Sequence, residues 1–153
     1  HLPELAEYMP NVQSVEVLNR EVRETGDIAI LNKWNSSTEI PKMVRSFVDA
    51  DKKYWLDRAV WSEGNTAADW SLEMGFMPDR VKCIGRTSFH SLGAEATEMR
   101  VSGSLELNLK GLVPRILLKK STSAVERFVR LLVQPNFQKT SDALISYLRS
   151  QES

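Results

Sequence analysis

The stretch from Glu98 to Leu107 sets the tightest limit on the fold. Met99, Val101, Leu105 and Leu107 alternate with Glu98, Arg100, Ser102, Ser104 and Glu106. A period of two puts the apolar side chains on one side of an extended strand and the polar ones on the other. Such a strand belongs to an antiparallel sheet with one covered face and one wet face. The remaining residues must supply its partners and its cover.

The partners are legible upstream. Val15 and Val17 alternate with Ser14 and Glu16, Glu24-Thr25-Gly26-Asp27 reads as a turn, and Ile28, Ile30 and Trp34 begin a second alternating run, which together make a hairpin. Tyr54 to Ser62 is a strand rich in aromatics. Glu63-Gly64-Asn65 turns it into Ala67 to Phe76, where Trp70, Leu72 and Met74 alternate with Asp69, Ser71 and Glu73. Pro78-Asp79 turns again into Val81 to His90. Leu92-Gly93 joins that strand to the last one, from Ala94 to Leu107, glycine supplying the positive φ a tight hairpin needs. Leu2 to Tyr8 reads as a short helix stopped by Pro10, and Ser36 to Asp51 as a connection with one turn of helix. About six strands result.

The cover is expected at the C-terminus. Ser123 and Glu126 have the spacing of a capping box, and Val125, Phe128, Val129 and Leu132 fall at i, i+3, i+4 and i+7. The apolar stripe resumes with Phe137, Leu144, Ile145 and Leu148, so we read one long helix kinked at Pro135 rather than two. The expected fold class is α+β, a single domain over residues 1–153 in which a curved antiparallel sheet grips a long C-terminal helix.

Composition removes several function classes. Twenty basic and twenty acidic residues cancel, which argues against a general affinity for nucleic acid. Cys83 is the one cysteine, so no intrachain disulfide forms, and it reads as a small buried hydrophobe. No apolar run approaches the roughly 20 residues that span a bilayer, and His1-Leu2-Pro3-Glu4 does not read as a secretory leader. A cytoplasmic protein is the resulting expectation. Histidines occur only at His1 and His90, too few for a metal site, and His90 falls at a strand end where catalysis is not required to explain it. The glycines form no phosphate-cradling pattern, and no cofactor is implied.

What remains is a face. By phase, Trp70, Leu72, Met74, Phe89, Met99 and Val101 point toward the cover, as do Ile30 and Trp34 on their own strand. Any one tryptophan is an ordinary core residue, but Trp34, Trp55, Trp61 and Trp70 together are large flat walls suited to a cavity between sheet and helix. Asn32 shares the inward phase of Ile30 and Trp34. Asp57 shares a face with Trp55 and Trp61, whereas Arg58 shares the other with Leu56 and Val60. Both faces of this strand carry apolar residues, so either charge can be the inward one, unless the strand is an edge and both reach solvent. Thr87 is a further inward polar residue. The ligand-lining set is therefore Ile30, Asn32, Trp34, Asp57, Trp61, Trp70, Leu72, Thr87, Phe89, Met99 and Val101, closed by Phe128 and Leu132 of the helix. Arg115, Lys119, Lys120, Arg127 and Arg130 are a solvated face that could also make transient contact with an anionic membrane surface.

Three stretches carry a family resemblance: Leu2-Pro3-Glu4-Leu5 through Val15-Glu16-Val17-Leu18, Ala96-Thr97-Glu98-Met99-Arg100-Val101-Ser102-Gly103, and Val125-Glu126-Arg127-Phe128 through Pro135-Asn136-Phe137. They resemble the START-like, or polyketide-cyclase/dehydrase-like, superfamily to which the birch pollen allergens belong. The resemblance implies a helix-grip fold that binds an apolar small molecule or lipid. As alternatives to this non-enzymatic reading, it admits a cyclase or dehydratase acting on a polyketide-like substrate, with Asp57 or Arg58 as the acid or base, or an interaction module that takes a partner's segment. It also implies a first strand and small helix before the segment that starts at His1; either the N-terminus has been trimmed, the preferred expectation, or the sheet is one strand short with an exposed edge.

Overall fold

A computed structural model describes residues 6–9, 11–40, 45, 49, 51–94, 96–111, 115, 119, 122–123, 126–127, 139, 141–147 and 149. Six strands form one sheet: β1 (Val12–Val22), β2 (Ile28–Ser36), β3 (Tyr54–Trp61), β4 (Ala67–Met74), β5 (Val81–Ser91) and β6 (Thr97–Leu107). They lie in chain order, each antiparallel to the next, so the sheet is a meander. A 3₁₀ turn, Ala6–Tyr8, leads into β1, and residues 141–147 are helical.

The turns follow their chemistry. Gly26 (φ 85°) lets the Arg23 N–H and Asp27 carbonyl close the β1–β2 hairpin at 2.8 Å. Gly93 has φ 134°, as the Leu92-Gly93 reading requires. β1 departs from regular pairing twice, between Val12 and Ser14 and between Val17 and Asn19. Such bulges bend a strand and sharpen its twist.

Register decides which face is covered. Trp34 pairs with Trp55 and Trp55 with Met74, which aligns the inward phases of β2, β3 and β4. Trp70 pairs with Gly85 and Gly85 with Gly103, which extends the same face to β6. Met9, Val12, Val15, Trp34, Ile40, Trp55, Met74, Phe76, Met77, Val81, Leu109 and Ala143 form the buried core at one end of this face, with Leu144 and Tyr147 packed against it. Helical residues 141–147 therefore cover that end of the sheet. The opposite face is wet and carries cross-strand ion pairs, Arg58 with Glu73 at 3.4 Å and Arg86 with Asp69 at 2.6 Å.

Two expectations are corrected. Ser123 does not cap the N-terminus of a helix, because Arg115 and Lys119 are already helical. Its hydroxyl donates to the Lys119 carbonyl at 3.0 Å, the back-bond of a serine inside a helical turn. Where the first element is described, Ala6–Tyr8, it is a 3₁₀ turn rather than an α-helix; Leu2 to Leu5 lie outside the described residues. The kink at Pro135 and most of the apolar stripe also lie outside them. Among the described residues, no helix is long and apolar enough to cross a membrane.

Candidate functional site

The inward face divides into a closed end and an open end. At the closed end Trp34 and Trp55, direct cross-strand partners, stack with ring centroids 5.7 Å apart and planes 9° apart. Both are buried in the core beside Met74. Their rings are packing residues, and only the edge of Trp34 concerns the site.

Toward the open end, large and small side chains alternate across the strands. Ile30, Ala59, Trp70, Gly85 and Gly103 form one row. Trp70 lies over the two glycines: a Cβ at Gly85 would collide with its ring and with the Ser102 carbonyl, and one at Gly103 would come within 3.1 Å of the ring. The indole N–H donates to the Thr87 hydroxyl at 3.0 Å, so the polar group foreseen at Thr87 serves to hold Trp70. In the next row Trp61 pairs with Ala68 and Ala68 with Thr87. The small alanine lets Trp61 reach across β4 to stack on Phe89, centroids 6.1 Å apart. Trp61, Phe89, Met99 and Val101 are all half-buried, unlike the closed-end aromatics. They form an apolar surface on which something can still be laid.

Between the two ends runs the row Asn32, Asp57, Leu72, Cys83 and Leu105. This row settles the orientation of β3. Asp57 faces inward and Arg58 faces out, exposed and reaching Glu73. β3 is an interior strand, so the edge-strand alternative does not hold. Asn32 is 1% exposed, and its amide donates to the Asp57 carboxylate at 3.4 Å, a long bond. The Asn32 carbonyl oxygen and the Trp34 indole nitrogen are buried without a hydrogen-bond partner. Burial pushes the Asp57 carboxyl above the ordinary carboxylate range, opposed less strongly by Asn32 and by Trp34. The Trp34 N–H is near enough to favour the charge but does not meet it at hydrogen-bonding geometry. Cys83, buried on the same row, has its thiol pKa raised by desolvation and behaves as the small hydrophobe expected.

A carboxyl with a raised folded pKa keeps its proton to higher pH than it does in the unfolded chain. Its folding contribution is greatest below the unfolded value of about 4 and declines as pH rises through the folded value. Asp57→Asn removes this titration. Urea unfolding across pH should show the variant gaining on the wild type as pH rises through that window. A difference that stays flat, or that shrinks with pH, would contradict the burial of this carboxylate.

Every sequence-derived site residue within the described set lies on this one face; Phe128 and Leu132 lie outside it. Sequence reasoning missed the small residues Ala59, Ala68, Gly85 and Gly103. Their signal was a glycine inside a strand, which marks close approach of another group. It also missed a cleft of about 470 Å³ where β4 and β5 part beyond the Leu72–Cys83 pair. Glu73, Asp79, Arg80, Lys82 and Glu106 line that cleft, a mixture of charges ill suited to an apolar molecule. His90 accepts or donates a 2.9 Å hydrogen bond with Ser88 on the outer face of β5, away from the site.

The chain matches no protein-family model, and a comparison with curated proteins gives no match either. The functional reading therefore rests on the site.

Proposed function

We propose that this protein binds or carries an apolar small molecule or lipid against the inward face, in a START-like helix-grip arrangement completed by the C-terminal helix. One observation carries the reading: large aromatic and aliphatic side chains, Trp61, Phe89, Met99 and Val101, stand in register on the same face as the buried core yet remain half-buried. A face that existed only for packing would bury them as it buries Trp55 and Met74. Apolar walls around a few convergent polar groups are the usual composition of a small-molecule site, and Asn32 with Asp57 supplies those groups. The partners implied are an apolar ligand and, transiently, an anionic membrane surface through the exposed Arg115, Lys119 and Arg127.

Native mass spectrometry of protein purified from its own host tests this, alongside titration with the neutral fluorophore N-phenyl-1-naphthylamine. The expected results are a bound species of discrete mass and saturable fluorescence enhancement. Protein that carries no molecule and gives no saturable signal would overturn the reading.

A second reading is favoured by Asp57 itself. A half-buried carboxyl whose pKa desolvation raises is suited to donate or accept a proton, as a cyclase or dehydratase requires. In that case Asp57→Asn should abolish turnover of a bound substrate while leaving the substrate bound.

A further inference from the structure

We infer that the ligand is a neutral apolar molecule bearing a hydroxyl group, and that this hydroxyl seats between Asn32 and Trp34. The inference rests on the binding reading above and specifies its chemistry. Asn32 and Trp34 stand two positions apart on β2, so they share a face and are adjacent along it. Both side chains are more than nine-tenths buried. The Asn32 amide nitrogen is committed to Asp57, which leaves the carbonyl oxygen as an acceptor lacking a donor. The Trp34 indole nitrogen is a donor lacking an acceptor. Neither atom meets a partner at hydrogen-bonding geometry among the described residues, although the Trp34 N–H stands near the Asp57 carboxylate.

A hydroxyl is the smallest group that donates and accepts at once, and so answers both atoms. An ether or ketone answers only Trp34. A carboxylate also answers Trp34, but it would then sit beside Asp57, and two like charges at close range disfavour each other. Arg58, the one cation of the central part of β3, faces away and cannot offset this. Ile30 and Leu72 flank the pair on the inward face and would contact the ligand's apolar body. The selectivity that follows is alcohol or phenol first, ether second, fatty acid last.

The test uses four probes of matched chain length: 1-decanol, 1-methoxydecane, decanoate and decane. Each competes with N-phenyl-1-naphthylamine on the intact chain at neutral pH. Decanol should bind roughly tenfold more tightly than its methyl ether, the equivalent of about 1.4 kcal/mol. Decanoate should bind more weakly than decanol. Asn32→Leu and Trp34→Phe should each bring the decanol-to-ether ratio close to one, whatever they do to absolute affinity. Trp34→Phe keeps an aromatic ring against Trp55, so it stands in if Asn32→Leu does not fold. Equal affinities for decanol and its ether in the wild type overturn the hydroxyl assignment while leaving the binding reading intact. So does a ratio unchanged in both variants, or decanoate binding more tightly than decanol. Failure of all four probes to displace the fluorophore, or of the fluorophore to bind, overturns the broader reading instead.

Discussion

Alanine at Gly85 is expected to destabilise the fold by about 3 kcal/mol, the upper part of the usual range for overpacking. The added methyl group meets two obstacles at once, the Trp70 ring and the Ser102 carbonyl oxygen. The ring can move; the carbonyl is fixed in the ladder between β5 and β6, where Arg86 pairs with Ser102. The double variant Gly85→Ala with Trp70→Ala should therefore recover only part of the loss, and a urea-denaturation cycle measures the coupling. Gly103→Ala should cost less, because its nearest obstacle is the Ile84 carbonyl at 2.7 Å and the Trp70 ring stands at 3.1 Å. Full recovery in the double variant would mean that the Ser102 contact is unimportant. No loss at Gly85 would remove the account of how Trp70 lies.

The second large effect separates the two ends of the face. Trp55→Ala should cost about 4 kcal/mol, the loss typical of deleting a buried indole. It removes a ring that is 7% exposed and stacked on Trp34. Of that loss, a double-mutant cycle with Trp34→Ala should assign roughly 1 kcal/mol to the stack itself. Trp61→Ala deletes the same chemistry from the same strand and face, but from a half-buried position. Its stability cost should be well under half that of Trp55→Ala, while affinity for N-phenyl-1-naphthylamine falls several-fold. Equal stability costs at the two positions would mean that the open end is as closed as the core.

Much of this was legible in the residues. Period-two alternation located β1, β2, β4 and β6 to within a few residues, aromatic content marked β3, and glycine and proline placed the turns that bound β5. Phase alone put Trp70, Leu72, Phe89, Met99 and Val101 on one face. It failed at β3 because Tyr54, Leu56 and Val60 on one side are as apolar as Trp55, Ala59 and Trp61 on the other. Only pairing with β2 and β4 resolves that strand, and pairing is a non-local property. The helix start was misread for a different reason. Ser123 and Glu126 have the spacing of a cap by coincidence, and spacing alone cannot tell a cap from a serine already inside a helical turn, as the bond from Ser123 to the Lys119 carbonyl shows it to be. The unpartnered atoms of Asn32 and Trp34 were not legible at all. Whether a polar atom finds a partner depends on distances that no pattern of residue types contains.

The meander has a consequence for how the chain assembles. Each strand's neighbours in the sheet are its neighbours in sequence, so the ladder can zip from any hairpin at low loop-closure cost. Hairpins of this kind form in about 1–10 μs. Ala143, however, belongs to the same buried cluster as Met9 and Val12, a grouping that spans nearly the whole chain. Docking of residues 141–147 is thus the high-contact-order event, expected to follow pairing of the hairpins. Until then the apolar face is at greatest risk of adhering to another copy of the chain.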